Sequence, residues 1–177
     1  MRAALLLAAA LPLVAADVLV KHPRELKFNV RSFTPPRAAE FRHRLSSGAV
    51  AFLVEDHELP LVNVSVIIRT GEYLDPEGKT GVADLTGSQI RSGGTRTRPP
   101  ADFDEEAAFI AANLASSISG VAGNASLNCL AKDLDAGMAL FADMLRNPAF
   151  DDGRLKLARS QMLQSMARRN DNTGAIE

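Results

Sequence analysis

Three residues at helical spacing decide what chemistry this chain could perform. Asp84, Gly87 and Ser88 stand at positions i, i+3 and i+4 in the run Gly81–Thr95, whose apolar residues predict a helix with these three on its polar face. A carboxylate and a hydroxyl on adjacent turns could contact a metal ion or a polar substrate. A catalytic zinc needs three protein ligands and an open position, and only Asp84 is a suitable donor. The face therefore lacks the donors for a complete metal site.

The three histidines do not complete such a site. His22, His43 and His57 lie far apart in the chain and share no ligand spacing. The hydroxyl of Ser88 is a poor zinc ligand at neutral pH, because it would first have to lose its proton. Ser88 also lacks a Gly-x-Ser-x-Gly elbow and a placed histidine, which argues against a serine hydrolase.

Two interpretations of this polar face remain open. In the first, Asp84, Ser88 and Arg91 form an ordinary solvated helix surface. In the second, the same three side chains line an enclosed chamber and touch a substrate without catalysing its reaction. Composition and spacing do not decide between these two interpretations.

Composition excludes several classes of function. The chain has 177 residues, of which 46% are hydrophobic, so it can build one core. Its 20 basic and 21 acidic residues are well mixed, which predicts no surface for nucleic acid or anionic lipid. Cys129 is the only cysteine, so no internal disulfide can form. It lies in an apolar alternation, which predicts a buried side chain.

The first 16 residues have the organisation of a secretory signal peptide. Arg2 is followed by the apolar segment Ala3–Val14, which is too short to span a membrane comfortably, and small residues follow up to Ala16. We expect cleavage there and a secreted or periplasmic protein, with an uncleaved N-terminal anchor as the alternative. Residues 17–43 contain three prolines and scattered charges, which predict an extended arm.

Residues 44–177 predict a folded domain with the element order β-β-α-α-β-β-α-α. Strands are expected at Ala49–Glu55, Leu61–Arg69, Leu114–Ser119 and Ala125–Ala131. Helices are expected within Gly81–Thr95, from a cap at Asp102 to about Asn113, from Asp133 to Asn147, and from Asp151 to about Arg169. The last helix should turn Leu155, Ala158, Met162 and Met166 inward. This order predicts an α+β fold in which helices cover one antiparallel sheet.

Short segments along this domain resemble the N-terminal domain of the M16 metallopeptidases, the pitrilysin, insulinase and mitochondrial processing peptidase group. The matching segments follow the family's order and include Leu45-Ser-Ser-Gly48, Glu58-Leu-Pro60, Arg69-Thr-Gly71, Gly78-Lys-Thr-Gly-Val-Ala83, Arg91-Ser-Gly-Gly-Thr95, Asn147-Pro-Ala-Phe150 and Arg168-Arg-Asn-Asp171. The resemblance implies a LuxS/MPP-like metallohydrolase domain that is incomplete at its C-terminus. It also implies that an Arg/Tyr pair, which some partner chains contribute to substrate binding, lies in the missing part.

The resemblance further implies that this chain has lost the family's zinc site. In active members an H-x-x-E-H helix carries two histidine ligands and a glutamate base, and a later helix carries a third ligand. By position, the histidines correspond to Asp84 and Ser88, the base to Gly87, and the distal ligand to Ser165 or its neighbour. None of the four is retained, so zinc is expected only in a partner subunit.

Three functions are consistent with this pattern. The leading hypothesis is a non-catalytic, exported subunit that pairs with a zinc-bearing M16-like sibling and encloses peptide substrates. The second is a stand-alone peptide- or protein-binding module of the cell envelope. The third is a residual peptidase that uses another metal. We also expect that the chain is a fragment or a truncated reading frame.

Overall fold

The computed structural model describes residues 22–26 and 32–168, so the predicted signal peptide lies outside the described residues. Residues up to Val54 and residues from Glu55 onward form two separate compact units. The first unit contains the short helix α1 (Ala38–Phe41) and the strands β1 (Arg42–Arg44) and β2 (Val50–Phe52), which pair antiparallel. The boundary predicted between residues 43 and 44 therefore falls inside β1. Sequence periodicity misses β1, because its three residues, Arg-His-Arg, carry no apolar alternation.

The second unit contains a three-stranded antiparallel sheet. Its strands are β3 (Leu61–Ile68), β4 (Asn113–Ser119) and β5 (Ala122–Leu130), in the spatial order β3-β5-β4. The prediction for β3 is correct to within one residue at its C-terminal end. Strand β5 begins three residues earlier than predicted, because only Gly120 and Val121 separate it from β4.

Four helices accompany this sheet. They are α2 (Val82–Ser92), α3 (Pro100–Phe109), α4 (Leu134–Arg146) and α5 (Asp152–Ala167). The predicted α+β class is confirmed. Asp102 is the third residue of α3 and does not cap it, since the proline at residue 100 already opens the helix. Helix α3 ends at Phe109, before the predicted end, and Ala111 turns the chain toward β4 with a φ of 50°.

The caps of the last two helices agree with the sequence in position. Asp133 precedes α4, but its carboxylate pairs with Lys132 (2.7 Å) and makes no capping hydrogen bond. Asn147 follows the last turn of α4. Asp151 caps α5, because its Oδ1 accepts from the backbone N–H of Arg154 at 2.9 Å.

The hydrophobic core lies between one face of the sheet and the helices α3 and α4. Its buried residues are Phe103, Ala107, Leu114, Ala125, Leu127, Cys129, Leu140, Phe141 and Met144. Alternate valines of β3 pack against this cluster, as the strand's apolar face predicts. The predicted burial of Cys129 is confirmed, and burial raises the pKa of its thiol.

Helix α5 packs on one side of α2 and contains no fully buried residue. It runs antiparallel to α2, since the N–H of Asp151 bonds the carbonyl of Gly93 while the sulfur of Met162 lies beside Gly81. The predicted inward position of Met166 is wrong: the residue lies one turn beyond the start of α2, and its side chain is 58% exposed. None of the helices in the described part of the chain combines the length and apolar character needed to cross a membrane.

One carboxylate joins the loop after α2 to helix α4. Asp143 accepts hydrogen bonds from the hydroxyls of Thr95 (2.6 Å) and Thr97 (2.8 Å) and from the side-chain amide of Asn147 (2.8 Å). Arg98 adds an ion pair at 3.0 Å. The Thr95 hydroxyl, followed by the other donors, lowers the pKa of Asp143 to about 2, although desolvation opposes this.

This low pKa predicts a specific loss of stability in acid. A carboxylate whose pKa falls from 3.8 to about 2 on folding stabilises the protein above pH 4, and this contribution disappears as the pH falls through 2. We therefore expect Asp143→Asn to lower the free energy of unfolding near neutral pH, by an amount that shrinks by about 2 kcal/mol between pH 5 and pH 2. Urea unfolding across this range measures the difference, with Glu77→Gln in an exposed loop as the control. A penalty that stays constant with pH would contradict the prediction.

Candidate functional site

Helix α2 is held at its start by a side chain from the preceding loop. The two carboxylate oxygens of Asp75 accept from the backbone N–H groups of Gly81 (2.7 Å) and Ala83 (2.8 Å). Gly81 adopts a left-handed φ of 96°, a conformation that favours glycine. Sequence reasoning missed this cap, because Asp75 stands six residues before Gly81 rather than at the usual cap position.

The three residues predicted to share one polar face do not all face the same surroundings. Gly87 is buried against β4, and a Cβ at this position would overlap the backbone of Ser117 and Ile118. The hydroxyl of Ser116 donates to the carbonyl of Gly87 at 2.6 Å. Backbone therefore packs directly on backbone at this point, and the predicted common face is divided: Gly87 turns to the sheet, while its two neighbours on the polar face turn to solvent.

Asp84 and Ser88 are exposed on the solvent side of α2. The hydroxyl of Ser88 donates to the carbonyl of Leu85 at 2.9 Å, a common arrangement for a serine within a helix. Within the residues that the structure describes, Asp84 has no ion-pair partner. A substrate-facing role for Asp84 and Ser88 thus stays a prediction, with a solvated surface as the alternative.

Arg91 has contacts inside the domain. Its Nε donates to the carbonyl of Leu114 at 3.1 Å, its NH1 donates to Asp104 at 2.6 Å, and its guanidinium lies 5.0 Å from the ring centroid of Phe103. Arg91 follows Asp84 by two helical turns, but its long side chain reaches along the surface to β4 and α3. The guanidinium of Arg91 therefore joins three elements of the fold, and its contact with a substrate stays a prediction.

Asp104 was not singled out from the sequence, yet it connects three helices. Besides Arg91 of α2, it accepts from Arg154 of α5 at 3.2 Å. These partners are 13 and 50 residues away in the chain. No local pattern identifies such a pairing, since it depends on how the helices meet.

Ser165 lies on the exposed side of α5, one turn after Met162. Met162 in turn lies beside Gly81, at the start of the helix that carries Asp84. Helix α5 therefore approaches the N-terminal half of α2, as a distal ligand position would require, but Ser165 carries only a hydroxyl.

The side chains present do not fit a catalytic zinc. Asp84 offers one carboxylate, Gly87 offers no side chain, and the hydroxyls of Ser88 and Ser165 would need deprotonation to bind the metal. Within residues 22–26 and 32–168, no group of three or more His, Cys, Asp and Glu side chains comes together in a way that could hold a metal ion.

Comparison with known proteins agrees with this architecture. The chain matches the family described as Insulinase (Peptidase family M16) over residues 50–176. No curated protein matches it. Among solved structures, the fold is similar to a peptidase M16 inactive domain from Pseudomonas fluorescens, with a TM-score of 0.70 and 23% identity over 76% of this chain and 33% of that chain. A protease from Helicobacter pylori matches with a TM-score of 0.57 and 16% identity over 72% of this chain and 30% of that chain.

The α+β domain described above, an antiparallel sheet covered by helices on one face, is thus of the M16 peptidase type. The chain belongs to the insulinase family, peptidase family M16, and the resemblance noted in its sequence is confirmed. It spans about a third of the length of the solved structures that it matches, 33% and 30%.

The contact at Gly87 predicts a reversal of ordinary helix energetics. In an exposed helix, Gly→Ala stabilises by about 1 kcal/mol. We expect Gly87→Ala to destabilise instead, by about 3 kcal/mol, because the methyl group meets the backbone of β4. Ser88→Ala, one residue along and exposed, is the matched control and should change stability by less than about 0.5 kcal/mol. Urea unfolding of both variants tests this, and a stabilised Gly87→Ala protein would overturn the packing described.

A buried glutamine in the same helix gives a second test. Gln89 is 1% exposed; its Nε2 donates to Ser92 at 3.1 Å, but its Oε1 has no partner within the described structure. Replacing Gln89 with Met keeps a similar volume and removes this unpaired acceptor, so we expect a gain of about 1 kcal/mol in unfolding free energy. The same change at exposed Gln164 should be nearly neutral. Thermal unfolding measures both, and a destabilised Gln89→Met variant would argue against this environment.

Proposed function

We propose that this chain is a non-catalytic M16 subunit that pairs with a zinc-bearing sibling and helps to form a chamber in which the sibling cleaves peptides. The observation that carries the proposal is the environment of Gly87. The family resemblance assigns the general base to this position, and the backbone of β4 leaves no room there for a side chain.

Without ligands and without a base, this helix cannot activate a water molecule. Zinc-dependent hydrolysis needs a metal to lower the pKa of the water and a carboxylate to take its proton. Asp84 alone supplies neither a ligand set nor a base placed beside one. In the proposed assembly the sibling therefore supplies the zinc and the catalytic groups, and this chain supplies a surface that contacts the substrate.

The open face of the sheet is suited to contact peptides. Asn63, Asn128 and Asn113 lie side by side across the three strands, and the side chain of Asn128 donates to that of Asn63. Ser65 and Ser126 form the neighbouring row. Amides and hydroxyls both donate and accept hydrogen bonds, so such a face can satisfy the backbone groups of an extended peptide. This face supports a substrate-binding role, whether in a paired chamber or in a stand-alone binding module.

In this proposal the assembly works outside the cytoplasm, and the predicted signal peptide supports that location. The first 16 residues would direct export, so the sibling should carry a signal of its own. A zinc-bearing M16 protein without such a signal would be a poor candidate for the partner.

Coexpression tests the pairing. We expect the chain, tagged and coexpressed with the zinc-bearing M16 protein of the same genome, to elute with it as a complex of defined mass in size-exclusion chromatography with light scattering. Elemental analysis should find zinc, and replacing the motif histidines of the sibling should remove it. Failure to form any complex would contradict the proposed pairing. Binding of extended peptides by the chain alone would then favour the stand-alone module.

Kinetics of the complex distinguish substrate binding by this chain from catalysis by the sibling. Peptide cleavage should disappear when the motif glutamate of the sibling is changed to Gln. Asn63→Ala together with Ser65→Ala in this chain should raise KM several-fold and leave kcat nearly unchanged, because the lost contacts stabilise the bound substrate and the transition state equally. The exposed loop variant Glu77→Ala is the matched control. A loss of kcat with unchanged KM would contradict a purely binding role.

A further inference from the structure

A groove of about 550 Å³ lies between helices α3 and α4, outside the surfaces considered above. One wall is a stripe of α3 from Asp102 to Phe109, continued by Ile110 just after the helix. The other wall is the corresponding stripe of α4, formed by Ala136, Ala139 and Leu140. Because α3 and α4 cover the core face of the sheet, this groove is on the side opposite the open sheet face.

The groove is apolar at one end. Phe109 is 90% exposed at its edge, and buried Leu140 with half-buried Ile110 forms the floor. The two alanines of α4 make that wall low, so a second helix could approach closely. This end of the groove therefore exposes an aromatic ring beside an apolar floor.

The opposite end of the groove is acidic. Asp102 and Glu105 are exposed there and make no ion pair within the described part of the chain. Arg98 and Glu106 also line this end and pair with each other at 2.8 Å, so together they add little net charge. The groove therefore presents an apolar half and a half with two uncompensated negative charges. Along α3, Phe109 lies about 10 Å from Asp102 and about 6 Å from Glu105.

We propose that this groove binds an amphipathic helix of a partner protein, with apolar side chains against Phe109 and Leu140 and lysine or arginine residues facing Asp102 and Glu105. Two turns of a helix span the groove, so apolar anchors at i and i+4 fit its apolar half and basic residues at i+7 and i+8 face the carboxylates. The basic residues would set the direction in which the helix lies, since reversal places them over the apolar half. This interaction is separate from pairing with a zinc-bearing sibling.

Designed peptides test the charge rule directly. The probe is a short fluorescent helical peptide with leucines at i and i+4 and lysines at i+7 and i+8, and its partner peptide carries glutamates in place of the lysines. In low salt we expect the lysine peptide to bind the purified chain at least about tenfold more tightly. Asp102→Asn with Glu105→Gln should remove this preference, and the corresponding Lys variant should reverse it.

Two exposed apolar residues provide a matched pair of variants. Phe109→Ala should weaken binding of the lysine peptide about tenfold, while Leu163→Ala on α5, 56% exposed, should leave it unchanged. Circular dichroism confirms that each variant is folded. Equal binding of both peptides, or binding unaffected by the groove variants, would overturn the proposal. So would a homodimer that Phe109→Ala dissociates and the lysine peptide does not, because a second copy would then occupy the groove.

Discussion

The close approach of helix α2 to strand β4 at Gly87 is the contact on which the rest of the domain depends. With no Cβ at this position, backbone meets backbone, and the hydrogen bond from Ser116 to the Gly87 carbonyl fixes the helix along the strand. That position brings Arg91 within reach of the Leu114 carbonyl and turns Asp84 outward. The contact that holds the helix therefore also excludes a side chain at the position to which the family resemblance assigns the base.

Two carboxylates hold together the elements that the hydrophobic core does not reach. The core lies under α3 and α4, whereas α5 contains no fully buried residue. Its N-terminal half is held by Arg154 on Asp104 and by the backbone bond from Asp151 to Gly93. Asp143 of α4 accepts hydrogen bonds from four side chains, three of them in the loop after α2. Each of these bonds pairs a polar group that would otherwise lack a partner. Polar contacts thus supplement packing in this part of the domain, and the pH sensitivity expected of the protein comes from Asp143.

Local signals predicted much of the fold, and long-range contacts account for most of what was missed. The alternating valines of β3 and the cap at Asp151 are local patterns, and the structure places both elements as predicted. The face of Gly87 depends on the approach of β4 from thirty residues away, and helical spacing alone cannot show which side meets the sheet. The pairing of Arg91 with Asp104 could not be predicted from the sequence for the same reason. Strand β1 was missed because its three residues, Arg-His-Arg, show no apolar alternation.

The two surfaces proposed for binding lie on opposite sides of the domain, and this arrangement has a consequence for function. The open sheet face, with its rows of Asn and Ser, contains neutral hydrogen-bonding groups that suit peptide backbones. The α3–α4 groove combines an exposed Phe109 with two unpaired carboxylates, which suits one oriented helix. Because the core separates the surfaces, one ligand does not sterically block the other. The proposed arrangement lets the domain hold a peptide on one side and a protein partner on the other.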